Sequence, residues 1–229
     1  MNSRRDFLIK TFSVSAVFAL PNIVLGITNK ELPNVLIIGD SISIGYLPFV
    51  KELMKDKALV TRPYNEDGNP ENCQGTTNGV KNIDRWIGDT KWDVIHFNFG
   101  LHDIKHVDPV TRENSKDPEH PHQADLKQYK KNLEVIVEKL KTTGAKLVFA
   151  TTTPYPDEVG GPLRDPGMPE KYNKAALKIM KKNGIAVNDL YDYVLPRMEE
   201  LQRPNNVHFT ESGSRALAEQ VAKVINDNL

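Results

Sequence analysis

The chain has 229 residues, 39% of them hydrophobic and 26% charged, which supplies one sizeable core and suits one domain better than two. Lys plus Arg number 30 and Asp plus Glu number 30, with no long run of either sign, so no field gathers a polyanion or an anionic membrane and nucleic acid is not an expected partner. The single cysteine, Cys73, excludes an internal disulfide framework and any zinc site built from several thiolates, and reads as a lone thiol without a task.

Residues 1–26 read as a transport signal rather than as part of the fold. Arg4 and Arg5 precede a Phe-Leu pair, and the apolar run at 11–26 is too short for a membrane span. The segment resembles a twin-arginine signal peptide. An ordinary secretory leader with a chance arginine pair is the alternative, and both readings export the protein to the periplasm or beyond. Cleavage is expected near Gly26, leaving 27–229 as the functional domain, close to neutral in charge. No cysteine stands there to carry a lipid, so no membrane anchor is expected after leader removal.

From Asn34 onward, short β-branched runs alternate with helical patterns. The stretches 34–39, 93–100, 146–152 and 185–190 read as buried strands, with a weaker one at 58–63. Leu126, Tyr129, Leu133, Ile136 and Leu140 recur at helical spacing and are closed by Gly144. A second helix opens at Pro169, turns Tyr172, Ala176 and Ile179 inward and stops at Asn183-Gly184. The last begins near Thr210 and buries Leu217, Val221, Val224 and Ile225. Such alternation implies an α/β fold, a parallel sheet with helices on both faces, because parallel neighbours need right-handed crossovers.

In an open parallel sheet, function gathers at the carboxyl ends of the strands. Ser41, the GLHD at 100–103 and the TTTPYP at 151–156 each follow a strand directly, so they are expected on one rim. Two proline-rich loops, 105–123 and 154–170, leave the same rim, as walls or lids of a substrate pocket or as plain surface insertions. Ser41 itself, after Gly39-Asp40, can cap a helix, help hold a phosphate at a helix N-terminus or act as a nucleophile. The glycines of GDSISIG lie too far apart, with Ile42 and Ile44 between them, for a dinucleotide turn. His208, in NNVHFTESG just before the last helix, offers the base that a nucleophilic serine needs.

With those residues in place the chain resembles the SGNH, or GDSL-like, hydrolases. The resemblance runs in block order from Gly39-Asp40-Ser41 to the 207–213 segment, and the first block and the last histidine match best. It implies a three-layer α/β/α sandwich with a five-stranded parallel sheet of flavodoxin-like type. Ser41 corresponds to the nucleophile and His208 to the general base. Gly75 corresponds to the oxyanion glycine, with Gly79 as rival, and Ser41 and Gly75 would offer backbone N–H groups to the oxyanion. Two blocks depart from the pattern. His102 stands where GxND has its asparagine, and would complete the oxyanion hole as a neutral N–H donor or merely brace its loop, with Asn98 a weaker substitute. Asn205 stands in the place of the triad acid of DxxH. A Ser-His pair oriented by Asn205, a carboxylate supplied by Asp103 or Asp189, and an inactive site all remain open.

The resemblance implies a serine esterase that needs no cofactor and acts on a small-molecule or polysaccharide ester, short acetyl esters on carbohydrate foremost. A catalytically impaired carbohydrate-binding relative and an acyltransferase are the rivals. No metal is expected at the catalytic centre. HDIKH (102–106) and HPH (120–122) hold imidazoles at close spacing, but i,i+4 spacing pairs ligands only on a helix, and Pro121 forbids one there.

Overall fold

The computed structural model describes residues 31–229, so the expected leader lies outside the described residues. Five strands form one sheet: β1 (Asn34–Ile38), β2 (Leu59–Thr61), β3 (Val94–Phe97), β4 (Lys146–Ala150) and β5 (Ala186–Asn188). Their order is β2-β1-β3-β4-β5 and every pairing is parallel. This is the flavodoxin-like order, in which the chain reverses its winding between β1 and β3 and opens a crevice at their carboxyl ends.

The central strands are short continuous apolar runs because both faces are covered. Leu36, Ile38, Ile95, Phe97, Leu147 and Phe149 face one layer of helices: α2 (Thr76–Ile87), α3 (Leu126–Lys141) and α4 (Met168–Asn183). Val35, Ile37, Val94, Val148 and Ala150 face the other, built from α1 (Ser41–Leu53), α5 (Leu190–Val194), α6 (Met198–Leu201) and α7 (Glu211–Asn226). Each Val, Leu, Ile or Phe among them, fully buried, contributes on the order of 2 kcal/mol from its apolar surface.

The helices read from the sequence start and stop where their caps dictate. Asp125 accepts from Gln128 N–H at the start of α3, Gly184 ends α4 in the left-handed conformation, and Thr210 accepts from Gly213 N–H to open α7. Val224 is only partly buried, at the margin of the face that Leu217, Val221 and Ile225 bury fully. Helix α2 has no cap of its own at Gly75; its first N–H, of Thr76, is held at 2.8 Å by the carboxylate of Asp103.

The two proline-rich loops are not independent of each other. Short antiparallel bridges join Lys105 to Arg164, His106 to His122 and Val107 to Asn114. The His106 N–H donates to Leu163 C=O and the Leu163 N–H to Ser115 C=O, so the loops are laced to each other. Among the described residues no helix is long and apolar enough to cross a membrane.

Candidate active site

The turn after β1 is built to present Ser41. Asp40 is buried and caps α1, its carboxylate accepting from Ile42 N–H at 3.0 Å, so Ser41 is the first residue of the helix and half-exposed at its positive end. The buried Arg62 guanidinium braces the turn from below, donating to Gly39 C=O at 2.8 Å, Glu71 C=O at 2.6 Å and the Ser43 hydroxyl at 2.9 Å.

His208 reaches the same point from 167 residues away. Val207 and Phe209 turn into the core on either side of it, which leaves the imidazole facing the rim. The segment is clamped by Arg203 N–H to His208 C=O at 2.9 Å and Arg203 Nε–H to Phe209 C=O at 3.0 Å. Gly213 permits the clamp: a Cβ there would lie 2.0 Å from Leu201 O, so only glycine lets α7 start this close.

Ser41 Oγ and His208 Nε2 are 2.9 Å apart, which is proton-transfer distance. His208 Nδ1 does not meet Asn205. It lies 2.8 Å from Asn206 Oδ1, and that oxygen also accepts from the backbone N–H of His208 at 2.9 Å. Because a backbone N–H can only donate, the atom facing the ring is the amide oxygen, and Nδ1 carries the proton. Nε2 is thereby left with its lone pair toward the serine hydroxyl.

The expected place of Asn205 beside the ring is therefore corrected. Asn205 is exposed, sits at φ 51° in the left-handed region and accepts at its carbonyl from Gly160 N–H. An asparagine two residues before a backbone N–H forms the local turn that places its oxygen there, which is Asn206 and not Asn205. Neither proposed substitute carboxylate meets the ring either. Asp103 binds Thr76 N–H and Oγ–H, and Asp189 accepts from Thr151 Oγ–H and Asp192 N–H to cap α5.

Gly75 N–H and Ser41 N–H donate to no other group among the described residues. Gly79 is inside α2 against Ile136 and Phe99, with its N–H already bonded to Gly75 C=O, and offers nothing to a ligand. Asn98 is likewise committed, its Nδ2 donating to Ala150 C=O at 2.8 Å. His102 follows Gly100, whose φ of 155° and 2.1 Å approach of a would-be Cβ to Thr152 Oγ1 admit only glycine. Among the described residues the His102 ring makes no hydrogen bond that would brace its loop, and its Nδ1 is buried without a partner.

Burial pushes the His102 imidazole down to about 4 against the pull of Asp40, with Lys105, Arg164 and His208 adding to the fall, so the ring is neutral near pH 7 and keeps one N–H to donate. His208 is also lowered, by burial first and by Arg203 and Arg164, with Asp40 opposing. The Asp103 carboxyl is pushed up to about 7 by burial, although the Thr76 hydrogen bonds pull it down.

Residues 37–216 match the model of the GDSL-like lipase/acylhydrolase family. The chain belongs to that family. By family it is an ester hydrolase, and its sheet and helices are those of solved SGNH hydrolases. One such structure is a lipase/acylhydrolase from Enterococcus faecalis, 18% identical, with 86% of this chain and 97% of that one aligned at a TM-score of 0.67. Another is an acetyl xylan esterase, AlAXEase, 17% identical, covering 84% of this chain and 99% of the other at 0.66. A carbohydrate esterase family 3 enzyme from Talaromyces cellulolyticus is 15% identical, covering 86% and 98% at 0.61. No curated protein matches the sequence.

Proposed function

We propose that this hydrolase is an exported serine esterase that removes short acyl groups, acetyl above all, from carbohydrate, with Ser41 as nucleophile and His208 as general base. The observation that carries the reading is the 2.9 Å contact between Ser41 Oγ and a His208 Nε2 whose lone pair is set by Asn206. Ser41 Oγ bonds to the ester carbonyl carbon as its proton passes to Nε2. The tetrahedral oxyanion takes hydrogen bonds from the Ser41 and Gly75 N–H groups and from neutral His102, at the positive end of α1. The carbon–alkoxide bond then breaks, and the alcohol leaves with the proton from Nε2. Water, giving one proton to the same nitrogen, attacks the acyl-serine; the acyl–Ser41 bond breaks as Ser41 takes that proton back from Nε2, and the product leaves as the carboxylic acid, which ionises in solvent. Asn206 orients the ring, but as an amide it places no countercharge beside the imidazolium.

The likeness to an acetyl xylan esterase and a carbohydrate esterase supports a polysaccharide ester, as does a nucleophile left half-exposed on a rim. The test is acetate release from p-nitrophenyl acetate and from acetylated polysaccharide by wild type and Ser41→Ala. Wild type is expected to turn over both, and Ser41→Ala to lose at least about 10³-fold in kcat with the fold intact. Binding of polysaccharide by both forms with turnover by neither would replace the enzyme with a binding protein. Acetyl appearing on an added alcohol rather than as free acetate would make it a transferase.

A further inference from the structure

His106, His122 and Asp165 come from the two laced loops and form a cluster none of whose members belongs to the Ser41–His208 site. His106 Nε2 lies 3.2 Å and His122 Nε2 3.0 Å from the same carboxylate oxygen, Asp165 Oδ2. The other nitrogen of His106, Nδ1, lies 2.6 Å from His120 C=O. A carbonyl only accepts, so Nδ1 carries a proton, and in a neutral ring Nε2 then presents a lone pair. That lone pair faces an oxygen that also only accepts. Two acceptors at 3.2 Å, with the His106 side chain 5% exposed, repel unless a cation lies between them. The cation is either a proton on His106 or a metal ion.

We propose that His106, His122 and Asp165 form a binding site for a divalent transition-metal ion of the zinc class, which clasps the 105–123 loop to the 154–170 loop. Two imidazoles and one carboxylate are a donor set for such an ion, and three protein ligands leave a fourth position for water at the side where Asp165 is 44% exposed. Ligands of a tetrahedral zinc ion stand roughly 3.3 Å apart, so the 3.0 and 3.2 Å separations open by only a few tenths of an ångström to admit it. The hydrogen bond from His106 Nδ1 to a backbone carbonyl fixes the ring with Nε2 as ligand, an outer-shell arrangement typical of metal-bound histidine. Tyr155 Oη–H donates to Asp165 C=O at 2.8 Å and holds the third ligand in place.

The clasp has a structural consequence for the rim. Arg164, next to Asp165, is buried and donates to Leu101 C=O beside His102, and Gln123, next to His122, packs against Gly75. An ion here ties both contacts to one point. The site stands whether or not Ser41 is a nucleophile.

Untagged protein, stripped with EDTA and dialysed, is titrated with Zn²⁺ by calorimetry and with Co²⁺ by visible absorption. One ion per chain is expected, with the cobalt spectrum of a low-coordinate nitrogen and oxygen site. At roughly a hundredfold excess over Kd, Tm should rise on the order of 5 °C. Asp165→Asn should bind no ion yet stay folded, because its amide can donate to His106 Nε2 and remove the need for a cation. His122→Ala, at a partly exposed position, should weaken binding by at least about tenfold. No binding by wild type, or equal binding by either variant, would overturn the proposal and leave a proton as the cation on His106.

Discussion

His208 and His106 are two imidazoles held by the same kind of contact and left in opposite conditions. Each donates from Nδ1 to an oxygen that fixes the ring, Asn206 Oδ1 for His208 and His120 C=O for His106. At His208 the second nitrogen meets a hydroxyl, which can donate, so a neutral ring is satisfied on both sides. At His106 it meets a carboxylate, which cannot donate, so the neutral ring is not. Among the described residues, the carboxylate that the serine-hydrolase pattern calls for is not beside the Ser41–His208 pair, whereas one stands beside His106 in the loops. The difference explains why one ring suits proton transfer and the other suits a cation.

Among changes to the residues that could orient the His208 ring, the largest effect is expected from removing the oxygen on Nδ1. Asn206→Ala frees the tautomer and the ring plane together, and should lower kcat by about 10²–10⁴-fold, the scale of a wrong-tautomer triad, with KM little changed. Steady-state kinetics on a variant with an unchanged Tm measures this. A fall of less than about threefold would show that the serine–histidine contact needs no orienting partner.

Asn206→Asp gives His208 the charge that it lacks. The tautomer is already right, so only the gain of a charged over a neutral hydrogen bond remains, about 1–2 kcal/mol, or roughly tenfold in kcat. The pH profile should move with it. In the wild type, burial holds the His208 imidazole below its ordinary 6.5, so kcat/KM should rise with pH through a midpoint below 6.5 and stay flat above it. With neutral imidazole as the proposed base, activity is expected to be lost as pH falls through that midpoint. A carboxylate at 206 favours the imidazolium and should carry the midpoint upward by about one unit. A faster variant with an unmoved midpoint would place the new charge away from the ring.

What the sequence revealed and what it hid follow the range of the interactions. The strands β1, β3 and β4 were legible because their apolar runs are buried on both faces, and α3, α4 and α7 because period and cap signals lie within each segment. Helix α2 was not read, since its cap is Asp103, 27 residues downstream. Ser41 and His208 were legible as residue types at strand and helix ends, yet the partner of the ring was misplaced by one residue. Counting back three from His208 follows the pattern of other chains, whereas the backbone N–H of His208 selects the oxygen two residues back. The histidine cluster was overlooked for a similar reason. Helical spacing does not pair the imidazoles within 102–106 or 120–122; His106 and His122 meet instead across an antiparallel bridge that no local spacing announces.

The smallest effect is expected one residue from the largest. Asn205→Asp puts a carboxylate at the position where the family pattern has its acid, yet this side chain is exposed and the backbone there is left-handed at φ 51°, a conformation asparagine tolerates better than most residues. The loop is pinned through the Asn205 carbonyl by Gly160 N–H, which keeps the side chain from swinging toward the ring. An exposed charge is screened, so kcat, KM and the pH midpoint should all stay within about twofold of wild type, and stability within about 0.5 kcal/mol. A tenfold rise in kcat from Asn205→Asp alone would mean that the loop rearranges when substrate binds. It would then be Asn205, and not Asn206, that stands behind the base during turnover.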